Sequence, residues 1–244
     1  MNEVIKVVQL TKYYDELPAA DNVNLSVARG MIFGLLGANG AGKSTTIECI
    51  LGTKKADSGS ISILGMNPED NRKKLFQKVG VQFQDTNYQD NITVGELCEV
   101  TASLYSSAAD PAVLLKRFGI ADKQKSLVRD LSGGQRQRLF IVLALIPEPE
   151  VVFLDELTTG LDAKARREVW KILDGLKKKG MTIFLTSHFM DEVEALCDQI
   201  CILRKGIIVF YGTVSEAIEG SPYEKFEDAY LWYTEEEGQA DENI

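Results

Sequence analysis

Histidine is nearly absent from this 244-residue chain: His188 is the only one, and the four cysteines (Cys49, Cys98, Cys197, Cys201) form no CxxC pair. A zinc site built from His and Cys therefore lacks ligands. The cysteines are expected to be small buried hydrophobes in a reducing compartment. Long apolar runs are missing too. Nowhere do about 18 apolar residues follow one another, so no helix is expected to span a bilayer. The opening residues, MNEVIKVVQLTKYYDE, carry no basic stretch ahead of a long apolar one and do not read as a signal peptide. Positive charge is in deficit, with 27 Lys and Arg against 36 Asp and Glu and a net charge of −9. That balance argues against nucleic acid as the main partner but leaves room for a local cationic pocket. Any membrane role has to come through a separate chain.

What is present is an ordinary globular balance, 45% apolar and 26% charged, in a length that suits one sizeable α/β domain. Short apolar runs bounded by Asp, Asn and Gly predict strands over Val4–Leu10, Asn22–Val27, Met31–Leu36, Ser60–Leu64 and Val79–Phe83. Residues 85–146 change character: Thr93–Tyr105, Pro111–Phe118 and Gln135–Ile146 read as helices with no strand between them. Val151–Leu154 and Met181–Leu185 are continuous apolar runs, the pattern of strands buried on both faces. Between them Ala163–Lys179 puts Ala165, Val169, Ile172, Leu173 and Leu176 on one helical face and stops at Gly180. A helix over Asp191–Cys197 and strands over Ile200–Leu203 and Ile207–Tyr211 follow. Alternating strands and helices predict a mostly parallel sheet. The last residues, EEEGQADENI, read as an acidic solvated tail.

The chemistry begins at Gly37-Ala38-Asn39-Gly40-Ala41-Gly42-Lys43-Ser44-Thr45, which fits the phosphate-binding loop GxxxxGK[ST] between an apolar strand and a helix. Glycines let the backbone curl so that successive N–H groups point at phosphate oxygens. The helix beginning near Lys43 adds its positive end. Lys43 is placed to reach the β- and γ-phosphates, and the Ser44 hydroxyl to ligate Mg²⁺. A second signal, Val151–Leu154 followed by Asp155 and Glu156, sets two acids at the end of a buried strand. Asp155 fits a carboxylate that holds Mg²⁺ through water. Glu156, facing the other side of the strand end, can polarise a water aimed at the γ-phosphate.

Leu131-Ser132-Gly133-Gly134-Gln135, continued by Arg136-Gln137-Arg138, resembles the LSGGQ signature of the ABC ATPases. The resemblance covers about residues 3 to 233 and implies a P-loop NTPase (RecA-like) α/β core with a mostly parallel sheet. It also implies an N-terminal antiparallel β subdomain and an inserted helical subdomain. The expected organisation is one ATPase domain over 1–233, its core from 1–84 and 147–220, its helical subdomain over 85–146, and a tail over 234–244. Ser132 and the Gly133 and Gly134 amides precede a helix and form a second anion-binding end. In the family that end faces the γ-phosphate of ATP held by the other protomer, so the resemblance implies a two-fold dimer of this chain, or a pair with a homologous subunit.

Lesser motifs fall in the family's order. Gln84 resembles the glutamine that touches Mg²⁺ and the attacking water, with Gln82 as the alternative two residues earlier. Asp162, in Thr158-Thr159-Gly160-Leu161-Asp162, resembles the loop that crosses the dimer interface, and His188 the histidine that contacts the γ-phosphate. Tyr14 resembles the residue that stacks on adenine, with Tyr13 as the alternative. The phrases Ile32–Gly37 and Ser187–Asp198, with Phe226–Leu231 as a short C-terminal helix, resemble the ABC-2-type and multidrug exporter group. That implies an ATP-hydrolysing subunit at the cytoplasmic face of the cell membrane. It would power a separate permease whose cytoplasmic helices dock between Asp85 and Glu99. A soluble ABC ATPase scaffold, as in iron–sulfur cluster assembly, is the alternative. Leu157 departs from the family, which carries proline after the catalytic glutamate. Losing proline frees the backbone beside Glu156, yet activity is expected to survive because Asp155 and Glu156 are both present. A severalfold rise in ATP turnover in Leu157→Pro would support a loosened Glu156, and an unchanged rate would remove the idea.

Overall fold

The computed structural model describes residues 3–83, 88–156 and 158–235. Chain order begins with β1 (Glu3–Tyr14), β2 (Leu17–Ala28), β3 (Ile32–Leu36), α1 (Lys43–Ile50), β4 (Ser58–Ile63), α2 (Arg72–Leu75) and β5 (Val79–Gln82). A helical stretch follows with α3 (Val94–Ser103), α4 (Pro111–Arg117) and α5 (Gly133–Leu145). The chain then returns to strands with β6 (Val151–Leu154), α6 (Ala163–Lys177), β7 (Thr182–Thr186), α7 (Met190–Leu196), β8 (Gln199–Arg204) and β9 (Ile207–Gly212). Two helices, α8 (Val214–Glu219) and α9 (Phe226–Thr234), close it. Among the described residues no helix is long and apolar enough to cross a membrane.

Two sheets are stacked. One is antiparallel in the order β2-β1-β4, and the other runs β5-β6-β7-β3-β8-β9. In the larger sheet every neighbouring pair is parallel except the β8–β9 hairpin. Its central strands are buried along their whole length on both faces, as their unbroken apolar runs require. On one face Phe153, Phe184 and Phe33 stand in register across β6, β7 and β3, with ring centroids 5.1 Å apart at each step. This row packs under the antiparallel sheet with Val7, Leu10, Leu25 and Val27. On the other face Ile32, Ile183, Leu185, Val152 and Leu154 meet α5 and α6 through Leu139, Val142, Val169 and Leu173. Each fully buried Phe contributes about 1.5–3 kcal/mol, so the two faces together hold the sheet between its layers.

The first hairpin departs from the expected strands. Both arms run for twelve residues instead of stopping near Leu10 and starting near Asn22. The physical reason is bulging. Gln9 and Asn22 take left-handed φ values of 51° each, and the β1–β2 register slips at several points. Every slip breaks the period of two from which a strand is read. The short helices α2 and α8 were not expected either. α8 carries a readable start all the same, a Thr213–Glu216 capping box. The acidic stretch from residue 236 onward, Gln84 to Asn87 and Leu157 lie outside the described residues.

Close packing of α5 on the sheet depends on Gly80 in β5, where a Cβ would lie 1.9 Å from the Ala144 carbonyl oxygen. Gly80→Ala therefore has to push α5 away. We expect a loss on the order of 2–3 kcal/mol, read as an earlier urea midpoint with an unchanged slope. A wild-type midpoint would show that β5 and α5 separate without penalty.

Candidate functional site

The sheet order sets β6, β7 and β3 side by side, so the loops leaving their carboxyl ends share one crevice, the usual ligand position in open α/β sheets. A cleft of about 780 Å³ opens there. It brings together Tyr14, Asn39, Gly40, Gly42, Lys43, Ser44, Thr45, Asp155, Glu156 and His188 from the sequence-derived set. Gly37 and Ala41 lie behind them, within the loop that joins β3 to α1.

That loop is held from the rear. Gly206, in the β8–β9 turn, donates its N–H to the Ala41 carbonyl at 3.0 Å. Gly42 has φ 100°, and a Cβ on it would sit 2.0 Å from the Ala19 carbonyl oxygen. Only glycine satisfies both the dihedral and the approach. Gly42 is also the N-cap of α1, and no side chain caps this start. In contrast α3, α5 and α6 begin on Thr93, Ser132 and Asp162, whose side chains accept a first-turn amide. The first amides of α1 are thus left toward the cleft, a ready anion site. Lys43 Nζ donates to the Gly37 and Ala38 carbonyls at 2.7 and 3.1 Å. Burial lowers the pKa of Lys43, while Glu156 and Asp155 pull it back up.

Across the cleft, Thr186 at the end of β7 organises the acids. Its hydroxyl donates to Asp155 Oδ1 at 2.5 Å and accepts the Glu156 N–H at 2.9 Å. Burial raises the Asp155 carboxyl above its usual range, opposed by the Thr186 hydrogen bond. Glu156 turns out of the strand in a left-handed conformation, φ 50°. Its Oε1 lies 2.7 Å from His188 Nε2. The backbone strain of a non-glycine residue in this region is of the kind often stored at working sites.

Other sequence-derived residues stand apart from the cleft. Ser132 caps α5 in a reciprocal box: its Oγ accepts from the Gln135 N–H at 3.3 Å, and Gln135 Oε1 accepts from the Ser132 N–H at 3.0 Å. A Cβ on Gly133 would meet nothing within 4 Å, whereas one on Gly134 would lie 3.1 Å from the Leu161 side chain. Asp162 caps α6 by accepting from the Ala165 N–H at 2.8 Å. Gln84 lies outside the described residues. Its alternative, Gln82, is buried, and its amide donates to the Asp155 carbonyl at 3.1 Å, tying β5 to β6. Tyr14 lines the cleft and Tyr13 does not, although both are exposed. Thr186, Ala19, Thr159 and Phe189 were missed by sequence reasoning. The signal for Thr186 was a hydroxyl residue ending an apolar run, but its partners are on another strand.

Residues 20–159 match the family described as ABC transporter. The chain is 37% identical over 222 residues to the Nod factor export ATP-binding protein I of Ralstonia nicotianae, covering 88% of this chain and 68% of that protein. It is 39% identical over 217 residues to a fluoroquinolones export ATP-binding protein of Mycobacterium tuberculosis, covering 88% and 72%. A probable multidrug ABC transporter ATP-binding protein of Escherichia coli matches at 36% over 215 residues, 86% of this chain and 37% of that one. Among solved structures, an ATP binding subunit of an ABC transporter superposes with TM-score 0.87 at 27% identity, over 95% of this chain and 100% of that one. A dimeric ATP-binding cassette in a post-hydrolysis state with ADP and Pi superposes with TM-score 0.78 at 25% identity, over 86% and 98%. With a phosphate-type cleft at the carboxyl ends of β3, β6 and β7 and relatives of this kind along nearly its whole length, the chain belongs to the ABC transporter family, as one of its ATP-binding, ATP-hydrolysing subunits.

Proposed function

We propose that this subunit hydrolyses ATP between two copies of itself and uses the closing and reopening of that dimer to drive export through a separate membrane permease. The observation that carries the site assignment is the convergence of an uncapped helix start, a buried lysine and a Glu156–His188 pair at 2.7 Å in one cleft. The phosphates of ATP are bound by the amides at residues 40–45 and by Lys43, which exchanges its loop carbonyls for phosphate oxygens. Tyr14 supplies a flat face for the adenine. Glu156 takes the proton of the attacking water as that oxygen bonds to the γ-phosphorus and the bond to ADP breaks. His188 orients Glu156 and the γ-phosphate.

The donors present suit Mg²⁺. Thr186 occupies Oδ1 of Asp155, while Oδ2 accepts no hydrogen bond from any described residue, and Ser44 lies exposed on the same cleft. Ser44 and, through water, Asp155 would hold the ion, and Gln84 is proposed as its third ligand. Bound there, Mg²⁺ would neutralise charge on the transferred phosphoryl group. It would also reverse the burial effect that raises Asp155.

Ser132, Gly133 and Gly134 are proposed to meet the γ-phosphate of the partner's ATP. The open space in front of Gly133 and the exposure of Ser132 support this. Asp162 caps α6 at the same border. Dimer closure moves a permease only if open and closed states engage it differently. Residues 85–99 are proposed as the docking segment, with the helical stretch 85–146 as the subdomain that carries it. Export, rather than import, rests on the names of the relatives from Ralstonia nicotianae and Mycobacterium tuberculosis. Such a subunit sits at the cytoplasmic face of the membrane through its permease.

Glu156→Gln is expected to lower ATP turnover by roughly 10²–10⁴-fold and to leave an ATP-trapped dimer visible by size-exclusion chromatography. Equal turnover in variant and wild type would remove Glu156 as the base. Asp90 and Glu99 are exposed and neither caps a helix. Reversing both to Lys should cut transport with the permease while basal ATP turnover stays within about twofold, as expected of surface changes remote from the chemistry. An equal fall of both activities would place the segment in the active site instead.

A further inference from the structure

His188 lies on an exposed turn, and the helix that follows, α7, begins on Phe189 with no capping side chain. What holds this turn lies beneath it. Glu192 is 0% exposed, yet both of its carboxylate oxygens are used. Oε2 accepts from the Ser187 hydroxyl at 2.5 Å, and Oε1 accepts from the Trp170 indole N–H at 2.8 Å. Ser187 Oγ in turn accepts the Phe189 N–H at 3.0 Å. The residues on either side of His188 are therefore tied to one buried carboxylate, itself anchored on α6. A second contact from α6 supports the turn, with the Arg166 guanidinium 4.7 Å above the Phe189 ring and 3.0 Å from Asp191.

A buried carboxylate is a poor choice for stability alone, because an apolar side chain of that volume usually serves as well or better. Burial raises the Glu192 carboxyl, and the Ser187 and Trp170 hydrogen bonds oppose that rise. Neither Glu192 nor Trp170 lines the cleft. What their network does is restrict the backbone that carries His188. An exposed imidazole on an untethered turn would spread over several rotamers. Held at 187 and 189, it is aimed at Glu156.

We propose that Glu192 is a positioning residue for ATP hydrolysis: through Ser187 it fixes the turn so that His188 Nε2 meets Glu156 Oε1. This rests on the reading of Glu156 and His188 given above. The same scaffold joins two parts of the site. α6 is capped by Asp162 at its start and holds Glu192 through Trp170 two turns later, so the loop at 158–162 and the histidine turn share one rigid element.

Because the chain has a single histidine, its imidazole signal can be followed by NMR without assignment ambiguity. The test compares wild type, Ser187→Ala, Glu192→Ala, Glu192→Gln and Glu156→Gln as full chains at one pH. Glu156→Gln shows where the signal goes when the pairing is disturbed. Ser187→Ala and Glu192→Ala should move it in the same direction, and kcat should fall on the order of tenfold to a hundredfold with ATP affinity within about twofold. Glu192→Gln should stay near wild type, because the Ser187 hydroxyl can rotate to accept from the new amide while Trp170 keeps its acceptor. If Glu192→Ala does not fold, Ser187→Ala alone decides. A wild-type signal in Ser187→Ala, with the Glu156→Gln signal displaced, overturns the positioning role and leaves the catalytic pair standing. An undisplaced signal in Glu156→Gln overturns the pair and the positioning role together.

Discussion

The register of three parallel strands is the constraint on which the remaining structure depends. Phe153, Phe184 and Phe33 face one another across β6, β7 and β3, and a slip of one residue would turn each ring to the opposite face. In this register the strand ends are level. Asp155 and Glu156 leave β6, Thr186 ends β7, and the phosphate loop leaves β3, all at the same edge. The hydroxyl of Thr186 then spans from β7 to both acids of β6. A shift of a single residue in either strand, about 3.3 Å, would break both bonds.

Electrostatics at this edge are held out of balance. Lys43 and Asp155 are both desolvated, so their pKa values move toward each other, Lys43 down and Asp155 up. The amides of α1 have no capping side chain. Each feature costs free energy in the isolated chain, and a phosphate with its cation would relieve all of them together. The longer helices α3, α5 and α6 are capped by their own side chains. The uncapped start of α1 is the one that lines the cleft beside Lys43, where a phosphate can supply the missing partner.

α6 is the frame that connects this edge to the outer surface of the subunit. Its first turn is capped by Asp162, its inner face is held by Val169 and Leu173, and its Trp170 reaches the buried Glu192. The start of α5 packs against the same region, where Gly134 approaches Leu161. Parts proposed to face a second protomer and parts proposed to meet the γ-phosphate thus rest on one helix, in packing too dense to deform piecemeal.

Local chemistry was legible in the sequence wherever residue type and chain neighbours decide the outcome. The glycine spacing before Lys43, the acids after a buried strand and the apolar stripe of α6 are all local patterns, and the corresponding elements fall within one or two residues of the expected ones. The β1–β2 hairpin was less legible, because its bulges erase the alternation that announces a strand. Thr186 and Glu192 were not legible as parts of the site. Each acts on a residue brought near only by sheet order or helix packing. The sequence by itself determined which groups can bind phosphate and carry protons, since those capacities belong to side chains and short backbone turns. Which of these groups meet, and which buried residues hold them in place, was decided by the tertiary structure alone, because strand order and burial are properties of contacts between distant parts of the chain.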